Sequence, residues 1–346
     1  MASEPTQDRK ESALPWVDFM RFIAILLVVL AHVENWGAGS AWVRDFYYTV
    51  SRNGVPLFFM ISGFLLLSKQ EDIPTFFRKR AARIIIPFLF WSIVYDVQNS
   101  QAFAQSGVTL EGILKMFIRI LRGPREAHLW FFYSLIGLYL ITPILRVFVS
   151  KARDSEILYY IALWFLVAPI LFIVEAFTPI KNGFEIYYTG GYVGYFLLGY
   201  YLGRLETKPP LFWSGLGLFI AGIVFTFAVF YFNLPPQKNE LVFRSYPSLN
   251  IILMSLGAFI LIKAVGEKIS TRWALASHEA SKASFGIYLI HPIVFTWMAL
   301  GWSAFGFQAA LGNPLFVIPL VATVAFLLSW ALVFLISKIP ILRAIV

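Results

Sequence analysis

Ten apolar runs recur along this chain of 346 residues, and each approaches the ~20 residues that a helix needs to cross a bilayer. Only 14% of the residues are charged, against roughly 25% in a soluble globular domain. The polar stretches between the runs are too short to form a separate soluble domain. In order, the runs are residues 15–34, 53–68, 81–98, 128–149, 157–176, 187–203, 211–232, 248–265, 283–302 and 314–337.

The sequence therefore predicts an all-α, polytopic membrane helix bundle with about ten transmembrane helices. We expect residues 1–14 to form a polar tail and residues 15–340 to form one membrane domain. Lys and Arg are about twice as frequent in the loops on the N-terminal side as on the other side, which predicts that both termini are cytoplasmic. The same asymmetry explains the net charge of +9, and no basic run interleaved with exposed aromatic residues points to nucleic acid.

The first run contains three polar side chains, Asp18, Arg21 and His32, that are costly in hydrocarbon and usually face a bundle interior. Arg21 and His32 are eleven residues apart, so they share one helix face with roughly 16 Å between them along the axis. We predict that Arg21 binds an anion near one surface and that His32 is a general base near the other. Asp18 is either an ion-pair partner of Arg21 or part of a phosphate-binding mouth.

Four cations, Arg78, Lys79, Arg80 and Arg83, fall within six residues at the predicted cytoplasmic surface. Arginine binds phosphate through two parallel N–H groups, so the cluster suits a phosphorylated cytosolic ligand. The alternative is an anchor that follows the positive-inside rule without binding anything. Both interpretations remain open from the sequence.

Polar residues also gather at the predicted outer surface. Asn53 lies at a depth similar to that of the predicted base, and it and Ser62 are candidate oxyanion-hole donors in a segment rich in Gly, Pro and Ser. We expect Arg52, His128 and Trp130 to contact an acceptor substrate. For Trp130 an aromatic belt at the membrane interface explains the position equally well.

The other two histidines predict less. His291 precedes Pro292 near the middle of the ninth run, where we expect it to bond a backbone carbonyl freed by the proline. His278 falls in a predicted cytoplasmic loop and indicates no function. Because the four histidines lie at dispersed predicted depths and the chain has no cysteine, we predict no metal site.

The longest loop, residues 99–127, contains an amphipathic segment from Thr109 to Arg122. Its apolar residues fall on one helical face and its Lys and Arg residues largely on the other, which predicts a helix lying in the outer interface. A surface anchor is the favoured interpretation. Binding of an anionic lipid-linked substrate is the alternative.

In order along nearly the whole chain, these segments resemble the acyltransferase family 3 membrane proteins. Within that family they look most like stand-alone bacterial surface-polysaccharide O-acetyltransferases of the enterobacterial common antigen type. The resemblance is carried by Asp18-x-x-Arg21 with a ten-residue gap before His32, Gly54 to Phe64, Arg78 to Pro87, His128-Leu-Trp130, and Tyr288-Leu-Ile-His291-Pro292.

The resemblance implies ten core helices, a cytosolic acyl-CoA donor and a carbohydrate acceptor. It implies that the cluster from Arg78 to Arg83 holds the CoA phosphates, that Arg21 lines the path of the pantetheine arm, and that His32 activates the acceptor hydroxyl or carries the acyl group transiently. Acetyl-CoA is then a substrate, with no permanently bound cofactor. The expected partners are membrane lipid and a surface glycan or its lipid-linked precursor, at the bacterial inner membrane.

Longer family members carry a C-terminal SGNH esterase-like domain. This chain ends at Val346, so we expect it to act without a fused partner. Two alternatives remain from the sequence. One is a transporter or flippase for a lipid-linked sugar, which the lack of an obvious internal repeat disfavours weakly. The other is a sensor that binds the donor without turnover.

Overall fold

The computed structural model describes residues 14–33, 40–99, 109–233, 242–304 and 312–346. Within these ranges the regular structure is helical, and no strand is present. The predicted tail, residues 1–14, lies outside the described residues except for Leu14. An all-α fold is therefore confirmed for the described chain.

Fourteen α-helices lie in the described ranges, and two of the joins between them are π turns. The helices are α1 (Pro15–Leu30), α2 (Ala41–Ser51), α3 (Gly54–Leu67), α4 (Ile73–Arg80), α5 (Ile86–Asn99), α6 (Leu110–Arg122), α7 (Trp130–Lys151), α8 (Asp154–Phe165), α9 (Leu171–Phe177), α10 (Val193–Arg204), α11 (Pro209–Tyr231), α12 (Leu249–Gly266), α13 (Thr271–Ala304) and α14 (Pro314–Ser337). The π turns are Ala81–Ile85, between α4 and α5, and Leu166–Ile170, between α8 and α9.

Each of the ten predicted spans contains a helix. In the described residues, 8 helical stretches are long and apolar enough to cross a membrane. Helices α1 and α10 fall at predicted spans but are shorter, with 16 and 12 residues. The eight stretches are Ala41–Leu67, Ile73–Asn99, Ala127–Lys151, Asp154–Phe177, Pro209–Tyr231, Leu249–Gly266, Thr271–Gly301 and Pro314–Ser337.

Helix α13 begins at Thr271, twelve residues before the predicted ninth span. The prediction that His278 lies in a loop was wrong, because this polar stretch forms the first turns of the helix. With 34 residues, α13 is about 51 Å long, well above the ~30 Å of the hydrocarbon core. Hydropathy detects only its apolar part.

Helices α3 and α10 pack at backbone contact through glycine. A Cβ atom at Gly63 would lie 1.8 Å from the carbonyl oxygen of Phe196, and one at Gly199 would lie 1.9 Å from that of Met60. Small residues allow such close approach between membrane helices, where van der Waals packing drives association. Gly199 and Gly203, four residues apart on α10, both face α3, as the small residues of a Gly-x-x-x-Gly packing motif do.

The predicted amphipathic segment is helix α6, capped by Thr109, whose hydroxyl accepts from the Gly112 amide at 3.1 Å. Its Arg119 binds the fully buried carboxylate of Asp96 on α5 at 3.0 Å and 2.5 Å. Leu110 and Leu121 on its apolar side are exposed. Since Arg119 is committed to Asp96, the geometry supports the anchor interpretation of this helix.

A buried lysine of α12 binds the carbonyl groups at the end of helix α10. The ammonium of Lys263 donates to the carbonyl oxygens of Leu202 at 3.3 Å and Gly203 at 3.0 Å, and also to that of Leu205. Lys263 is 4% exposed. The last carbonyls of a helix have no hydrogen-bond donor inside the helix and lie at the negative end of its dipole. A cation there donates hydrogen bonds to them and also interacts favourably with the dipole.

We expect Lys263→Met to lower the unfolding free energy by about 2–3 kcal/mol, since it leaves buried carbonyls without a donor. Tryptophan fluorescence during heating in detergent measures the change. Lys268→Met, at an exposed lysine five residues on, is the matched control and should melt like the wild type. Equal melting of the two variants would contradict this role of Lys263.

Candidate active site

A cavity of about 1120 Å³ lies at the end of the bundle where α1 begins, which we call the basic end. Residues from α1, α3, α4, α7 and α13 line it. Six cations and two acids are among them, so the wall carries an excess of positive charge. The charged lining residues are Asp18, Arg21, Lys69, Glu71, Lys79, Arg80, Arg83 and Lys282.

Glu71 holds part of the basic cluster in place. Its carboxylate accepts from Lys79 at 2.8 Å and from Arg80 and Arg146 at 3.4 Å each. Burial acts to raise the pKa of Glu71, but the hydrogen bond from Lys79 and the charge of Arg80 outweigh it, and the pKa lies below its ordinary value. Glu71 is therefore ionised at neutral pH and neutralises part of this wall.

The second acid, Asp18, is held by α13. Its carboxylate oxygens lie 2.7 Å from Nδ1 of His278 and 2.7 Å from Oγ of Ser281. The ion pair with Arg21, one of the two sequence interpretations of Asp18, is not formed in the described part of the chain. His278 and Ser281 are 260 and 263 residues away in sequence, and no motif could have identified them as partners of Asp18.

Arg21 and Arg83 project into the cavity without a carboxylate partner among the described residues. Arg83 lies in the π turn that precedes Pro87, which has no N–H for the carbonyl of Arg83. Such π turns are frequent at functional sites. Of the four predicted CoA-binding cations, Lys79, Arg80 and Arg83 line this cavity, whereas Arg78 is exposed on α4 and does not.

Three histidines meet at the opposite end of α1, which we call the histidine end. Nδ1 of His32 lies 3.3 Å from Nε2 of His291, and the ring of His128 is centred 5.4 Å from that of His291. The sequence places His32 and His128 near one surface and His291 nearer the middle of the membrane, whereas the structure brings all three rings together. His291 lies twenty residues, about 30 Å, along α13, which begins well before the predicted ninth span.

The three histidines differ in exposure. His32 is exposed, whereas His128 is 3% and His291 is 0% exposed. Neither ring nitrogen of His128 has a hydrogen-bond partner in the described structure. No group of three or more His, Cys, Asp or Glu residues in the described ranges is arranged to hold a metal ion.

His291 bonds a backbone carbonyl, as expected, but the sequence did not predict the contact of its second ring nitrogen with His32. Nδ1 lies 3.1 Å from the carbonyl oxygen of Ile287, one turn earlier on α13. Pro292 has no N–H to donate to the carbonyl of Tyr288, and this is the carbonyl that we expected His291 to bond. The only signal for the contact with His32 was that both residues belong to motifs of the same resemblance.

Two of the predicted acceptor residues lie together at the histidine end. The Arg52 guanidinium lies 3.7 Å from the ring centre of Tyr246, and Nη2 donates to the carbonyl oxygen of Arg244 at 2.5 Å. Trp130 is two residues beyond His128 and packs 5.2 Å from the same Tyr246 ring. The structure thus brings Arg52 and Trp130 into one aromatic group near the histidines.

The candidate oxyanion-hole donors lie elsewhere. The Asn53 amide donates to the carbonyl oxygen of Val50 at 2.9 Å and accepts from Ser255 at 3.1 Å, and the residue is 1% exposed. Its polar atoms are thus used in packing α3 against α12. Ser62 lines the cavity at the basic end rather than the histidine end.

Aromatic side chains separate the cavity from the histidines. Phe131 and Tyr288 line the cavity with their rings 5.3 Å apart. The Tyr288 ring is also 5.5 Å from that of His128 and 5.9 Å from that of His291. None of the three histidines lines the cavity itself. One aromatic layer therefore divides the two polar sites.

Comparison with known proteins identifies the family of this chain. Residues 14–334 match the family described as "Acyltransferase domain". "Nodulation protein 10" of Rhizobium leguminosarum bv. viciae is 25% identical over an alignment of 358 positions, which covers 91% of this chain and 91% of that protein. No solved structure matches the chain significantly.

Two further relatives align over a smaller part of their own length. "Nodulation protein NolL" of Sinorhizobium fredii is 31% identical over 140 residues, 38% of this chain and 36% of that protein. "Amino-acid racemase" of Enterococcus faecalis is 23% identical over 302 residues, 80% of this chain and 40% of that protein.

The family match covers nearly the whole described bundle. The transporter and sensor alternatives have no comparable support. The chain belongs to the acyltransferase family 3 and is a multi-pass membrane acyltransferase.

Proposed function

We propose that the protein transfers an acetyl group from cytosolic acetyl-CoA to a sugar hydroxyl of a bacterial surface polysaccharide or its lipid-linked precursor, at the inner membrane. One observation carries the proposal: α1 presents Arg21 to a cation-lined cavity at one end and His32 at the other. A donor rich in phosphate fits the first site, and a hydroxyl that must lose a proton fits the second.

The cavity at the basic end suits acyl-CoA in size and in charge. Its volume of about 1120 Å³ exceeds the ~300–1,000 Å³ of pockets that hold drug-sized ligands, so it has room for a nucleotide and part of its arm. Arg21 and Arg83 have no carboxylate partner in the described structure and are available for charge-assisted hydrogen bonds to phosphate. Lys79 and Arg80 extend this positive wall.

At the histidine end, His32 is the proposed general base. It removes the proton of the acceptor hydroxyl as the oxygen attacks the thioester carbonyl; the C–S bond breaks, and CoA leaves as a thiolate that takes up a proton. The other route has two steps, in which His32 first takes the acyl group and the hydroxyl then attacks the acyl-imidazole. In both routes the thioester must pass the layer of Phe131 and Tyr288.

His32→Ala should lower transfer from radiolabelled acetyl-CoA to a surface-glycan extract by about 100-fold or more, the usual effect of losing a general base. Released CoA can be followed with a thiol reagent, because the protein has no cysteine to react. Acetyl-CoA binding by calorimetry is the control and should be unchanged. Wild-type transfer by the variant would exclude the catalytic role of His32.

Arg83→Gln should raise the KM for acetyl-CoA by about 10-fold or more, since a hydrogen bond between charged groups contributes roughly 1.5–3 kcal/mol. Arg78→Gln is the matched comparison, because Arg78 carries the same charge but lies outside the cavity lining. Its KM should stay within about 2-fold of the wild type at moderate ionic strength. If both variants change the KM equally, the effect is one of general surface charge and the proposed donor site is wrong.

A further inference from the structure

The hydrogen bonds around His291 identify which of its nitrogens carries a proton. A carbonyl oxygen only accepts, so Nδ1, 3.1 Å from the carbonyl oxygen of Ile287, carries the hydrogen. A neutral imidazole has a single N–H. Nε2 of His291 is therefore an acceptor, and it points at His32 from 3.3 Å.

The same argument applies to His32. Its Nδ1 lies 2.8 Å from the carbonyl oxygen of Val28 and 3.3 Å from Nε2 of His291, and both of these atoms accept. Nδ1 of His32 thus carries the hydrogen and shares it between them. Nε2 of His32 is left with the lone pair, on the exposed member of the pair.

We propose that His291 is the positioning residue of His32. This role rests on the function proposed above. By accepting from Nδ1–H, His291 holds the tautomer whose Nε2 is basic, and it fixes the ring plane through the tilted contact of the two rings at 4.6 Å. After His32 takes a proton at Nε2, His291 shares the positive charge through the Nδ1 hydrogen. A base oriented by a third group is the general pattern of activated acyl-transfer sites, in which a carboxylate often does this work.

The structure also shows why a neutral partner serves here. His291 is fully buried and is surrounded by His128, Tyr288 and Phe295, whose rings lie 5.4, 5.9 and 6.2 Å away. An unpaired carboxylate among these groups would carry a large desolvation cost. An imidazole supplies the acceptor without a permanent charge.

Two polar substitutions separate this role from packing. In His291→Gln the side-chain oxygen reaches the position of Nε2 and can still accept from His32. In His291→Asn the shorter amide reaches the position of Nδ1 and can bond Ile287 but not His32. We expect His291→Asn to lower kcat by about 100-fold, and we expect the kcat of His291→Gln to be at least 10-fold higher than that of His291→Asn. The KM for acetyl-CoA should stay within about 3-fold of the wild type in both variants.

His291→Leu removes both contacts and should match the Asn variant in kcat. Phe295→Leu, one turn further along α13, is the packing control and should retain kcat within about 3-fold. Melting temperatures in detergent show whether each variant is folded. Because Gln and Asn are both polar and similar in size, their comparison holds even if the Leu variant unfolds.

Radiolabelled acetyl-CoA with the surface-glycan extract is the assay. Wild-type kcat in His291→Asn, or equal loss in the Gln and Asn variants at unchanged melting temperature, would overturn the positioning role. If His32→Ala abolishes transfer while His291→Asn retains it, this inference alone is wrong. If wild type and His32→Ala transfer equally, the proposed function itself is wrong.

Discussion

The pairing of α1 with α13 is the contact on which both polar sites depend. The two helices run in the same direction and touch through polar groups at two levels, Asp18 with His278 and His32 with His291. These contacts are fourteen residues apart on α1 and thirteen apart on α13, or about 21 and 20 Å. A slip of one helical turn, about 5.4 Å, would break both contacts together. The register of a single helix pair thus aligns the basic end with the histidine end.

Charge is distributed between the two ends according to how each end is solvated. The basic end opens to a large cavity, where Glu71 and Asp18 neutralise a minority of the cations. At the histidine end, His128 and His291 are buried and His32 is exposed. A permanent charge is tolerated where water or a ligand can reach it, whereas the two buried positions beside His32 hold side chains without a permanent charge.

Much of the fold follows from hydropathy, because a spanning helix must hide its backbone in an apolar segment of known length. That argument located a helix at each of the ten predicted spans, but it missed the polar first turns of α13 and therefore placed His278 in a loop. It also missed α2, which has only 11 residues and contains Arg44 and Asp45.

The candidate site could be predicted only in part, because a sequence pattern reports on neighbours along the chain and not on tertiary contacts. Residues close in sequence, such as Arg80 and Arg83, were grouped correctly because a helix brings neighbours onto adjoining surfaces. Contacts between distant segments, such as His32 with His291, depend on tertiary packing and leave no local pattern. Asn53 shows a related limit, because nothing in the sequence indicated its hydrogen bonds to Val50 and Ser255.

The excess of positive charge at the basic end affects any measurement of donor binding. Asp18 is hydrogen-bonded by His278 and Ser281 and acts electrostatically on Arg21, but the two acids of the lining cannot balance its six cations. A cavity with this excess of positive charge attracts the anions that the solution supplies. Chloride, sulfate or phosphate from the buffer will therefore compete for the cavity, and an apparent donor affinity has meaning only when the anion of the medium is stated with it.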